Sequence, residues 1–178
     1  MSDLPYFLRD VSTPEILLEE VAHKYGMLAL RPDAASLEVL KELQSRIDPA
    51  DACEEEGGVV NDLHLTLLCG LTSAPDPALV DSISTEIDQI GMRIAEICEF
   101  GEFSIVACLR PAPALLRMRH AAEALPHAPS KWPEYRPHIT LAYLREDTVG
   151  RYLTINRRLP VPEIALRFDE LYFSNPSH

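Results

Sequence analysis

Val59-Val60-Asn61-Asp62-Leu63-His64-Leu65-Thr66-Leu67-Leu68-Cys69-Gly70-Leu71 is the stretch from which the fold can be read. Its centre, His64-Leu65-Thr66-Leu67, returns 74 positions later as His138-Ile139-Thr140-Leu141. Both copies lie in apolar, β-prone runs, which predicts strands over 59–71 and 136–144. Side chains alternate faces along a strand, so His64 and Thr66 share one face, as do His138 and Thr140. Leu65, Leu67, Ile139 and Leu141 then turn to the other face, where a core can take them. Two His-x-Thr pairs directed at one site would supply two imidazoles and two hydroxyls, the groups needed to move protons around a phosphate.

Outward from these strands the chain alternates in type. Tyr25 to Leu30 reads as a strand, and Arg31-Pro32-Asp33 breaks it and offers a helix start. Leu37, Leu40, Leu43 and Ile47 recur at helical spacing, predicting an amphipathic helix over 35–47, ended by Asp48-Pro49. Residues 51–58 form an acidic loop closing on Gly57-Gly58. Asp76-Pro77 opens a second helix to about residue 90. Two strand-like runs, 92–100 and 103–109, flank Gly101-Glu102 as a hairpin. A third helix spans 111–125, a loop rich in Pro and aromatics spans 126–137, a short helix covers 147–153, and a last strand covers 164–173. Each motif strand is followed by a helix and a further strand, so the element order hints at an internal duplication. No linker is long enough to separate independent domains, and the chain is read as one domain over 1–178 with its core at about 24–174.

The formal charge of −12 is uneven. Residues 1–100 hold 6 Lys/Arg and 20 Asp/Glu, and residues 101–178 hold 10 and 8. An acidic surface disfavours long nucleic acids, whose binding depends on neutralising many phosphates. A small anionic ligand in a locally basic pocket remains compatible with it. Cys53, Cys69, Cys98 and Cys108 make no C-x-x-C pair, and the last three lie in apolar runs. They read as buried reduced thiols, in keeping with a cytoplasmic location. The six histidines make no H-x-x-x-H or H-E-x-x-H pair, so no metal or other cofactor is expected. No apolar run approaches a membrane span, and the first ten residues lack a signal-peptide layout, so no membrane partner is expected.

Phosphodiester cleavage needs one proton taken from the attacking oxygen and one delivered to the leaving oxygen. Histidine suits both tasks because its ordinary pKa lies near 6.5. Thr66 and Thr140, on the same faces as the imidazoles, are placed to donate to the non-bridging oxygens as charge develops there. A single His-x-Thr-Leu is most often an ordinary piece of strand; the second copy in the other half of the chain argues for chemistry. Beside the second motif, Trp132 is the only tryptophan and can either stack on a base or pack between lobes. Tyr135 can reach the phosphate or a base. Lys131 and Arg136 offer local positive charge or a solvated surface. Tyr143 is expected to pack. His23, His120, His127 and His178 read as surface or capping residues.

On these two tetrapeptides the chain resembles the 2H phosphoesterase superfamily, named for two H-x-[ST]-h motifs, with h apolar. The superfamily includes 2′-5′ RNA ligase-like proteins, 2′,3′-cyclic nucleotide phosphodiesterases and phage enzymes that destroy cyclic oligonucleotide alarm signals. The resemblance covers about residues 24–174. It implies an α+β, bilobal fold: two antiparallel sheets related by a pseudo-twofold axis, with a central cleft and outer helices. It also implies metal-independent catalysis by His64, Thr66, His138 and Thr140. The runs His64 to Leu71 and Tyr135 to Tyr143 look like compact phage-type members, including the anti-CBASS phosphodiesterases, which would act in the host cytoplasm. The expected partner is therefore a small nucleotide or cyclic oligonucleotide. The alternatives are an RNA 2′,3′-cyclic phosphodiesterase or 2′-5′ RNA ligase-like enzyme, and a nucleotide-binding module without catalysis.

Overall fold

A computed structural model describes residues 26–101, 103–130, 134–158, 161 and 163–174. Lys131, Trp132, His23 and His178 lie outside the described residues. The strands are β1 (Gly26–Pro32), β2 (Leu65–Leu71), β3 (Gly91–Phe100), β4 (Ser104–Leu109), β5 (His138–Tyr143) and β6 (Ala165–Ser174). The helices are α1 (Ala34–Gln44), α2 (Pro77–Ser84), α3 (Pro113–Ala122) and α4 (Val149–Arg158). The protein is thus an α+β molecule in the expected element order.

Every strand pairing is antiparallel, and the strands follow the ring order β1-β2-β5-β4-β3-β6. The two motif strands, β2 and β5, are neighbours in this order. They share a single ladder pair, Leu65 with Ile139. The halves expected as two sheets are therefore joined into one ring, through that pair on one side and through β3–β6 on the other.

Local chemistry explains the boundaries. Asp33 caps α1 by accepting from the Ser36 amide at 2.8 Å, and Asp76 caps α2 with Pro77 in its first turn. The predicted strand over 59–71 begins only at Leu65. Val59 makes an isolated bridge to Ala142, and the Val60 amide donates to the Leu141 carbonyl at 3.1 Å. Gln44, at the end of α1, donates to both the Val60 and Leu141 carbonyls at 2.8 Å, which ties this helix to both motif segments.

The core is fed by the apolar parity of the strands. Leu28, Leu30, Leu65, Leu67, Ile139 and Leu141 are all buried, beside Leu40 and Leu43 of α1 and Leu115 and Met118 of α3. Burying each such side chain contributes about 1.5–3 kcal/mol. Residues 51–58 are not simply a solvated acidic loop. Asp51 is buried, accepts from the Tyr152 hydroxyl and from Arg151 Nη1 at 2.7 Å, and faces Arg145 at 3.6 Å. The Tyr152 hydrogen bond, followed by the two guanidinium groups, holds the Asp51 carboxyl below the usual carboxylate range.

The cysteines require a correction. Cys98 and Cys108 form a disulfide between β3 and β4, and Cys69 is exposed; none of the three is a buried reduced thiol. The ladder explains this outcome. Glu96 pairs with Cys108 and Cys98 with Val106, so the two cysteines are diagonal neighbours on one face of the hairpin.

Candidate active site

The alternation expected of the motifs is present in the burial pattern. His64, Thr66, His138 and Thr140 are half-buried, while Leu65, Leu67, Ile139 and Leu141 are sealed in the core. The Leu65–Ile139 pair fixes the relation between the motifs. The antiparallel sense of this one pair points His64 toward the Thr140 end of β5 and Thr66 toward its His138 end.

Both rings are held in the same manner. His64 Nδ1 lies 2.8 Å from the Asp62 carbonyl oxygen, and His138 Nδ1 lies 2.7 Å from that of Arg136. A carbonyl only accepts, so each Nδ1 carries a proton and donates it. In the neutral ring this leaves Nε2 as the free basic nitrogen. Two residues back along the chain, each motif therefore supplies its own backbone orienter.

The surroundings of the two rings differ. His138 stacks on Phe100 with centroids 4.1 Å apart and planes at 25°. Its flank on β4 is Cys108, its ladder partner, and Val106, the partner of Thr140. Burial, opposed by the Arg136 carbonyl and reinforced by His64, lowers the His138 pKa below 6.5. His64 has polar neighbours instead. Its Nδ1 is 3.9 Å from the Asp62 carboxylate, which accepts from the Tyr172 hydroxyl at 3.1 Å. Tyr172 on β6 pairs with Ala29 on β1, which pairs with Thr66. Arg31 lies over the Tyr172 ring at 4.4 Å and is ion-paired with Glu170. Burial, then Asp62, pushes the Tyr172 hydroxyl up to about 12, so it stays protonated as a donor.

Tyr135 turns inward. Its hydroxyl donates to the Thr66 carbonyl at 2.8 Å, with Arg119 over its ring at 5.0 Å. Desolvation raises its pKa, so this donor too keeps its proton. Tyr135 therefore braces the backbone of β2 at Thr66. The Arg136 side chain is exposed and lies 3.4 Å from Glu134, and its contribution at the site is the carbonyl that orients His138. Thr66 Oγ1 approaches Met27 Sδ at 3.8 Å, a weak acceptor that a phosphate oxygen readily replaces. Tyr143 pairs with Ser104 and is half-buried.

Asp62, Phe100 and Tyr172 were not reached from the sequence. Asp62 carried a usable signal, since it stands two residues before the first histidine. Phe100 and Tyr172 are brought in by strands far away in the chain. Among the described residues, no three His, Cys, Asp or Glu side chains are grouped to hold a metal ion, and no helix is long and apolar enough to cross a membrane.

A search among curated proteins found no match. The family model described as "2′-5′ RNA ligase superfamily" matches residues 32–177, which takes in both motifs, strands β2 to β6 with the last residue of β1, and every helix. With two His-x-Thr strands meeting at one ladder pair and most of the chain matched, this protein belongs to the 2′-5′ RNA ligase superfamily of 2H phosphoesterases.

Proposed function

We propose that the chain is a metal-independent phosphodiesterase that cleaves small nucleotides by two-histidine general acid–base catalysis. The observation that carries this reading is the matched orientation of the two imidazoles. Each has Nδ1 tied to the backbone carbonyl two residues back, which leaves Nε2 as the basic nitrogen of the neutral ring. One neutral ring takes a proton from the nucleophile, and the other, protonated, gives one to the leaving oxygen. Each such transfer supplies a factor of about 10² to 10⁴. Thr66 and Thr140 donate to the non-bridging oxygens, where charge accumulates. On a 3′-5′ ribonucleotide linkage the nucleophile is the substrate's own 2′-hydroxyl, and on a 2′,3′-cyclic phosphate it is water. The pseudo-twofold relation between two lobes, a cleft between them and a single domain over the whole chain belong to the same reading.

The substrate we favour is a cyclic di- or trinucleotide, as in anti-CBASS phosphodiesterases. The acidic composition supports a compact ligand over a long RNA. A second reading, RNA 2′,3′-cyclic phosphodiesterase or RNA ligase-like chemistry, is favoured by the description of the matching family. Incubation with cyclic dinucleotides, cyclic trinucleotides, 2′,3′-cyclic mononucleotides and a short RNA with a 2′,3′-cyclic end, followed by chromatography, separates them. His64→Ala and His138→Ala are each expected to abolish turnover while keeping the wild-type circular dichroism. Full activity in either variant overturns the acid–base reading. Binding without any product points instead to a nucleotide-binding module.

A further inference from the structure

We propose that Asp62, held by the Tyr172 hydroxyl, is a positioning residue that makes His64 the general acid and leaves His138 the general base. The proposal rests on the phosphodiesterase reading and assigns its two proton transfers.

The argument is the difference between two otherwise matched rings. Both Nδ1 atoms meet a carbonyl two residues back. At His64 alone that residue also presents a carboxylate, with Asp62 Oδ2 3.9 Å from Nδ1. The corresponding residue before His138 is Arg136, whose side chain is turned out to solvent against Glu134. A carboxylate beside an imidazole stabilises the imidazolium and lines up its proton. Phe100, stacked on His138, excludes water and disfavours charge there.

The charged and titratable groups around His64 come from four elements. Asp62 lies on its own segment, Arg31 on β1, Glu170 and Tyr172 on β6, and His138 on β5. Arg31 opposes a cation at His64, but its charge is engaged by Glu170 and the Tyr172 ring. His138, uncharged in the working state, adds nothing. The Tyr172 donor bond holds Oδ2 of the largely exposed Asp62 carboxylate at this position.

In the resulting step the 2′-oxygen attacks phosphorus and its proton passes to His138 Nε2. The bond from phosphorus to the 5′-oxygen breaks, and His64 Nε2 gives that oxygen its proton. The products are a 2′,3′-cyclic phosphate and a 5′-hydroxyl.

Leaving groups of different basicity test the assignment. A uridylyl-3′,5′-adenosine linkage needs an acid, whereas uridine 3′-(4-nitrophenyl phosphate) expels a stable phenolate without one. Asp62→Asn and Tyr172→Phe are expected to lose on the order of tenfold or more on the dinucleotide, within the factor an acid supplies. The loss should be at least about tenfold smaller on the aryl ester. This sparing of the aryl ester is the signature that a purely structural defect does not produce. His138→Ala should fail on both compounds. Equal losses of the Asp62 variant on both esters, no loss on either, or aryl-ester activity retained by His138→Ala but not by His64→Ala each overturn the assignment. Wild type cleaving neither of these compounds nor any member of the cyclic-nucleotide panel removes the phosphodiesterase reading beneath it.

Discussion

At the scale of single residues, His138 carries the clearest electrostatic signature. Its ordinary pKa is 6.5, and burial lowers it in the fold. In the base role proposed for it the ring must be neutral, so the acid limb of kcat/KM is expected below pH 6.5. Phe100→Ala rehydrates the ring and should move that limb up toward 6.5, read from the rate profile on the same substrate. Stability follows the same sign. Between the folded and unfolded pKa values the unfolded chain binds more protons. The contribution of neutral His138 is therefore whole above about 6.5 and is lost as pH falls from there through the folded value. His64, Thr66, His138 and Thr140 were legible because period-two burial leaves a mark in sequence: apolar residues fall between them. Tyr135 was not, because Pro137 interrupts the strand before its face is defined. In the structure its hydroxyl serves the backbone of Thr66.

At the scale of elements, β2 shows how an irregularity can serve a site. Gly70 has a φ of +79° and lies at a bulge where Gly26 pairs with Leu71 and Met27 with Cys69. Its carbonyl accepts from the Ala128 amide at 2.8 Å, which pins the start of the loop that leads to β5. An added Cβ would find only ordinary contact with Ala128 at 3.5 Å, so strain and not crowding sets the cost. Gly70→Ala is expected to lower unfolding free energy by about 1–2 kcal/mol, measured by urea titration. The hairpin of β3 and β4 was legible at Gly101, and even spacing about it already sets Cys98 and Cys108 on one face. Apolar flanks made both look like core thiols, and only the ladder register makes them partners. The start of β2 was misjudged for a related reason. Val59 and Val60 are β-prone, but they pair with the far end of β5, so the chain must turn before His64.

At the scale of the whole molecule, the order of elements along the chain and their alternation were readable, whereas the pairing order of the strands and closure of the ring were not. No local pattern announces that Gly91–Arg93 will meet Ala165–Arg167. The same blindness hid Asp62's partner Tyr172, which arrives from β6 across β1. The disulfide ties the β3–β4 hairpin on the flank of His138, closing a loop of sequence separation 10. Replacing Cys98 and Cys108 together by Ser is expected to cost up to about 2–3 kcal/mol without reductant. Most of that difference should vanish when wild type is unfolded in excess dithiothreitol. The seam between the two motif strands bears on how the protein would meet a ligand. Leu65 and Ile139 are its one ladder pair, backed by the Val59–Ala142 bridge, the Val60 amide on the Leu141 carbonyl and Gln44 on both segments. A change of side-chain volume at Leu65 or Ile139 is felt one residue away, at His64 and at His138 alike.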